Sequence, residues 1–211
     1  MFRDRSDAGK QLAAELDRYA GQNAIVVALP RGGVPVAFEV AKKLKLPLDI
    51  FSVRKVGHPN NPEYAVCAVD QFGDILCNEE EKSAIDKNWL REEIENERRE
   101  AERRASAYRG NKKPIDILVS GKIVILVDDG VATGLTLRLA IKSIRKLKPK
   151  KIIVALPVGA KDALEILKGE LKEGTDELLI LLVPEDFLGA VGSYYGSFDQ
   201  VRDEEVISLL K

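Results

Sequence analysis

The chain has 211 residues, 45% of them apolar and 32% charged, with a net charge of −1. That size and apolar share point to one large folded domain and exclude a disordered chain. The near-cancellation of charge argues against bulk nucleic-acid binding, and no apolar run reaches the ~20 residues that cross a bilayer.

The opening residues, MFRDRSDAGK, hold no apolar signal core, so a cytoplasmic protein is expected. Ser6 is a helix-capping residue, and Leu12, Leu16 and Tyr19 follow at helical spacing, which predicts a helix over 7–20. AIVVAL, 24–29, is a continuous apolar run of the kind found in a buried parallel strand. LPRGG, 29–33, ends it, and a helix is predicted over 34–45. LDIFSV, 48–53, reads as a second strand. RKVGHPNNPE, 54–63, reads as a long loop, since prolines, asparagines and a glycine crowd it.

Residues 64–78 read as a hairpin turning at FGD. Cys67 and Cys77 fall inside it. They form no CxxC pair and have no histidine ligand nearby, so reduced thiols are expected. Residues 79–109 form a long charged helix with a break near Asp86. Its i, i+4 pairs Glu95–Arg99 and Glu100–Arg104 suit a solvated face. Strand, loop and helix then repeat: strands over 122–128, 151–158 and 177–183, helices over 135–147 and 161–169. From Pro184 the chain turns aromatic and glycine-rich, and Asp203 is placed to cap a last short helix.

Strands alternating with helices imply a parallel sheet with right-handed crossovers, whose ligands bind beyond the strands' carboxyl ends. The loops after 24–29, 48–53 and 122–128 should therefore share one edge. The third carries the most chemistry. VILVDDGVATGLT, 124–136, runs from a strand through two aspartates and a small-residue loop into a helix start. Backbone N–H groups from Ala132 to Thr136, with the Thr133 and Thr136 hydroxyls, form an anion cradle. Asp128 and Asp129 cannot hold the anion themselves. As ionised acceptors they suit a ribose diol or a magnesium ion. Arg31, Gly32 and Gly33 form a second anion nest, and Arg54-Lys55 adds two cations. The only histidine, His58, reads as a solvated loop residue, which disfavours histidine zinc sites and Ser-His-Asp catalysis. A ligand with phosphate at both ends and ribose between them fits all three loops; 5-phosphoribosyl-1-pyrophosphate (PRPP) has that shape.

VILVDDGVATGLT resembles the PRPP-binding motif of type I phosphoribosyltransferases. LPRGG and RK stand where that family has its pyrophosphate loop and the start of its mobile catalytic loop. The combination of RKVGHPNNPEYAV with VGSYYGSFDQVRDEEV is similar to a microbial subgroup of unassigned substrate. The resemblance implies an α/β fold, a mostly parallel sheet flanked by helices. Residues 1–183 would form the PRPP-binding core, including a mobile loop 54–63, and 184–211 a small C-terminal hood in the same domain. It also implies phosphoribosyl transfer from PRPP to a nitrogenous acceptor with release of pyrophosphate, in nucleotide salvage, in a homodimer binding neither nucleic acid nor membrane.

The residue roles follow from the same likeness. Asp128 and Asp129 would bind the ribose hydroxyls and Mg2+, direct or through water. Ala132, Thr133, Gly134, Leu135 and Thr136 would hold the 5′-phosphate. Arg31, Gly32 and Gly33 would hold pyrophosphate, with a non-proline cis peptide in that loop. Arg54 and Lys55 would neutralise the leaving group, and Tyr194, Tyr195 and Phe198, in the hood, would either stack on the acceptor or serve as plain packing. Enzymes that salvage 6-oxopurines carry an acidic residue at the position of Ala132, so alanine here speaks against that acceptor class. Two other readings compete: a non-catalytic PRPP or nucleotide-binding regulator, and an unrelated α/β phosphatase or receiver-like protein.

Overall fold

Five apolar segments pair into one parallel sheet. A computed structural model describes residues 1–211, with the exception of the Glu63 side chain. The strands are β1 (Ala24–Ala28), β2 (Leu48–Ile50), β6 (Ile123–Val127), β7 (Lys151–Val158) and β8 (Glu177–Leu182), in the spatial order β2-β1-β6-β7-β8. Successive side chains in a strand point to opposite faces. Val26 and Ala28 accordingly join one core layer, with Ile125 and Val127, while Ile25 and Val27 join the other, with Val124 and Leu126. Helices α1 (Arg5–Glu15), α2 (Gly33–Leu44) and α8 (Asp203–Leu209) cover the first face; α5 (Ile115–Val119), α6 (Leu135–Lys146) and α7 (Lys161–Glu170) cover the second. Burial on both faces is why the central strands β1, β6 and β7 read as apolar runs.

A second, antiparallel sheet of order β3-β4-β5 packs against α4 (Lys87–Arg109) and α6. Its strands are β3 (Val53–His58), β4 (Asn61–Asp70) and β5 (Ile75–Cys77), followed by α3 (Glu79–Ser83). Here the structure corrects the loop expected over 54–63. Only Pro59 and Asn60 make the turn, and the flanking residues pair as strands. The loop signals mark that turn and an irregular register at Gly57, where a Cβ would collide with the Pro62 carbonyl oxygen. Only glycine permits that approach.

Cys67 and Cys77 stand directly opposite on β4 and β5 and are disulfide-bonded, against the expectation of free thiols. The cap of α1 is also different. Asp4 accepts from the Asp7 amide at 2.7 Å, while the Ser6 hydroxyl donates to Glu39 at 2.6 Å. The predicted helix end at 20 resolves into a separate 3-10 turn, Asp17–Tyr19. Asp86 caps α4 as the break predicts, whereas Arg202 occupies the cap position of α8 and Asp203 is that helix's first residue. The short helix α5 was not expected. No helix among the described residues is long and apolar enough to cross a membrane.

Candidate active site

Register sets the site. Ala28 at the end of β1 pairs with Val127 at the end of β6, and the Leu29 amide continues the ladder to the Val127 carbonyl at 2.9 Å. The LPRGG loop and the Asp128-Asp129 pair therefore leave the sheet side by side. Their contact is tight. A Cβ on Gly33 would lie 2.8 Å from the Val127 oxygen and 2.9 Å from the Asp128 Cα; on Gly32 it would overlap Asp129 Oδ2. Both glycines are thus fixed by close packing on the acid pair. The Pro30–Arg31 peptide is cis, as the resemblance implies.

Asp128 Oδ1 accepts from the Asp129 amide at 2.9 Å. Burial, reinforced by the Asp129 charge, pushes the Asp128 carboxyl well above the usual carboxylate range. Burial also raises Asp129, against the pull of Arg5. Arg5, at the head of α1, is a site residue that sequence reasoning missed. Its Nε donates to Asp129 Oδ2 at 2.8 Å, Nη1 donates to the Asp199 carbonyl at 2.7 Å, and the guanidinium lies 3.7 Å from the Phe198 ring centre. No local pattern marks it, because 124 residues separate the partners.

Beyond Asp129 the chain is pinned to β7. The Val131 amide donates to Val158 at 3.0 Å, and its carbonyl accepts from Ala160 at 2.9 Å. Residues 132–136 then lead into α6. Gly134 sits at the cap with φ +82°, and the first helical bond runs from the Arg138 amide to its carbonyl at 2.9 Å. Among the described residues no acceptor meets the backbone N–H groups from Ala132 to Thr136. Unpaired donors at the head of a twelve-residue helix are chemically suited to an anion. They line a cleft of about 520 Å³ together with Lys55, Asn61, Tyr64 and the Gly189–Val191 segment.

The structure separates the predicted cations. Lys55 lines this cleft. Its neighbour Arg54 points the other way along β3 and grips Glu97 of α4 at 2.6 and 3.2 Å. Arg31 also turns aside, donating to Asp203 at 3.1 Å. The predicted acceptor-binding aromatics are largely packed. Tyr194 and Tyr195 are 7% and 5% exposed. The Tyr195 hydroxyl donates to the Asp129 carbonyl at 2.5 Å, and its ring lies 4.9 Å from that of Phe198. A buried ring offers no face for stacking, so for the two tyrosines the packing alternative holds. His58 ends β3, where its Nδ1 accepts from the Asn60 amide at 3.2 Å.

Among the described residues no three His, Cys, Asp or Glu side chains gather as a metal cage. Asp128 and Asp129 can supply two carboxylates. That fits magnesium, which takes one or two carboxylates and completes its shell with phosphate oxygens and water. The raised carboxyl of Asp128 is also what a nearby cation would relieve.

Comparison with known proteins places the chain. The family model of the phosphoribosyl transferase domain matches residues 3–176. A Mycobacterium tuberculosis protein provisionally named a phosphoribosyl transferase is 38% identical over 217 residues, covering 100% of this chain and 46% of that protein. The chain thus spans about half the length of the curated relatives it matches. The Thermus thermophilus protein TT1426 shares 40% identity and a TM-score of 0.78, over 100% of this chain and 97% of that one. A Neisseria gonorrhoeae hypothetical protein, solved with bound ppGpp, shares the fold at 16% identity and a TM-score of 0.52, over 100% and 97% of the two chains. By its family match and by the parallel sheet that carries its site, this chain belongs to the phosphoribosyl transferase domain family.

Proposed function

We propose that this chain transfers the 5-phosphoribosyl group from PRPP to a nitrogenous, nucleobase-like acceptor and releases pyrophosphate. One observation carries the reading: the N–H groups of Ala132–Thr136, which have no acceptor among the described residues, share a cleft with Lys55 and follow directly on two adjacent carboxylates at the end of β6.

In this reading the cradle holds the 5′-phosphate, and Asp128 and Asp129 accept hydrogen bonds from the ribose hydroxyls. The backbone of Arg31–Gly33 meets the pyrophosphate. The C1–O bond to pyrophosphate breaks, a bond from the acceptor nitrogen to C1 forms, and the acceptor's proton leaves to solvent. Positive charge grows on the sugar near the acid pair, while Lys55 faces the negative charge growing on the leaving group. Magnesium held at Asp128 and Asp129 would add charge neutralisation of the pyrophosphate oxygens. Arg54, bound to Glu97, holds β3 to α4 and has no part in this step.

A specific observation keeps a second reading in play. Arg31 and Arg54, both expected to meet the pyrophosphate, are held in ion pairs with Asp203 and Glu97. That suits a regulator that binds PRPP without turning it over. The test is a pyrophosphate-release assay with PRPP, magnesium and a panel of nucleobases. Release with one base supports the transferase and names its acceptor. Binding of PRPP with no release from any base favours the regulator.

A further inference from the structure

Arg31 is the one charged residue of the LPRGG loop, and its side chain leaves the cleft. Arg31 Nη1 donates to Asp203 Oδ1 at 3.1 Å, in the first turn of α8. The same carboxylate accepts from the Tyr108 hydroxyl at 2.7 Å and from Arg103 Nη2 at 3.0 Å, both on α4. One carboxylate thus ties the loop, the long helix and the last helix together. Arg31, Arg103 and Asp203 line a separate cavity of about 340 Å³, with Arg104 and Glu100 beside them. The Tyr108 hydrogen bond, with those of Arg103 and Arg31, holds the Asp203 carboxyl down at about 2, so it stays an anion at neutral pH.

The loop's backbone does the opposite. Leu29 accepts from the Gly33 amide at 3.1 Å, and Arg31 accepts from the Val34 amide at 3.1 Å. Among the described residues, the Arg31 and Gly32 amides have no acceptor. They sit at the head of the twelve-residue helix α2, beside Asp129. The donors that suit an anion are therefore in the main chain, and the guanidinium is occupied elsewhere.

We propose that Asp203 is a positioning residue for the pyrophosphate subsite: it holds Arg31 by the guanidinium, so that the loop's amides, and not its side chain, meet the pyrophosphate. This inference rests on the PRPP reading given above. The opposing arrangement is a latch, in which Asp203 withholds Arg31 from the ligand. The two predict opposite signs. Removing a latch frees Arg31 and tightens binding; removing an anchor loosens the loop and weakens it.

The experiment is calorimetric titration of the wild type, Asp203→Ala, Arg31→Ala and the double variant with PRPP and magnesium, and separately with ribose 5-phosphate. Ribose 5-phosphate reads the cradle and the acid pair without the pyrophosphate subsite. The expected result is about tenfold weaker PRPP binding in each single variant, from loss of the charge-assisted hydrogen bond that Arg31 and Asp203 share. The double variant should match the singles instead of compounding them, because both remove one interaction. Ribose 5-phosphate should bind all four proteins alike, which a general loosening of the fold would not allow. Asp203→Asn, which keeps an acceptor, covers the case in which Asp203→Ala does not fold, and an intermediate loss is expected. Unchanged or tighter PRPP binding in Asp203→Ala or Asp203→Asn, with the wild type binding normally, overturns this inference alone. A folded wild type that binds no PRPP overturns the reading of the site and this inference with it.

Discussion

The 128–136 loop and the 54–63 hairpin both border the cleft, yet only the first keeps the form its residues suggest. In the first, strand end, acids, glycine and helix start are consecutive in the chain. Each local preference agrees with the next, so nothing distant is needed to shape it. In the second, prolines, asparagines and a glycine signal a loop, but pairing with β4 turns most of it into strand. Strand pairing is a tertiary decision that overrides local preference. The difference decides which residues line the cleft. In a strand, neighbours point to opposite faces, so Arg54 and Lys55 cannot share a task.

Substitutions can break or sharpen this contrast. The largest effect should come from Asp128→Asn with Asp129→Asn. We expect PRPP-dependent turnover to fall by about a thousandfold or more, since charge stabilisation at the sugar is lost; near-wild-type steady-state rates would refute the site. Next, Lys55→Ala should lower kcat by about ten- to a hundredfold with little change in PRPP affinity, because its charge meets the leaving group. A large affinity loss at unchanged kcat would place Lys55 in ground-state binding instead.

The remaining two act on the hairpin's stability. Reducing the Cys67–Cys77 disulfide, which closes a loop of 10 residues' separation, should cost about 2–3 kcal/mol by chain entropy. Denaturant melts with and without reductant would show it, and identical melts would contradict it. The smallest effect is Arg54→Ala. Losing a half-exposed ion pair to Glu97 should cost about 1 kcal/mol of stability while leaving kcat within about twofold. A kcat loss matching that of Lys55→Ala would return Arg54 to the chemistry.

The centre of the parallel sheet was legible in the sequence because β1, β6 and β7 are buried on both faces and so read as apolar runs. The acid pair and the cradle were legible for the local reason given above. Arg5 was not, since its partner Asp129 lies 124 positions away and a lone arginine in a charged chain carries no signal. The Arg31–Asp203 pair, 172 positions apart, was hidden in the same way. For Tyr194 and Tyr195 the sequence leaves stacking on a ligand and plain packing both open, because aromatic residues near glycines suit either role; packing against Phe187 and Phe198 decides between them. The disulfide is a different kind of miss. The predicted hairpin placed both cysteines correctly, but composition cannot give the register that sets Cys67 opposite Cys77.

The most direct test of the central claim is calorimetric titration of the wild type and the Asp128→Asn, Asp129→Asn double variant with PRPP and magnesium. Saturable one-to-one binding to the wild type, and its loss in the folded double variant, are expected. No binding to the wild type, or equal binding to both proteins, would contradict the assignment of the Asp128–Thr136 loop as the PRPP site.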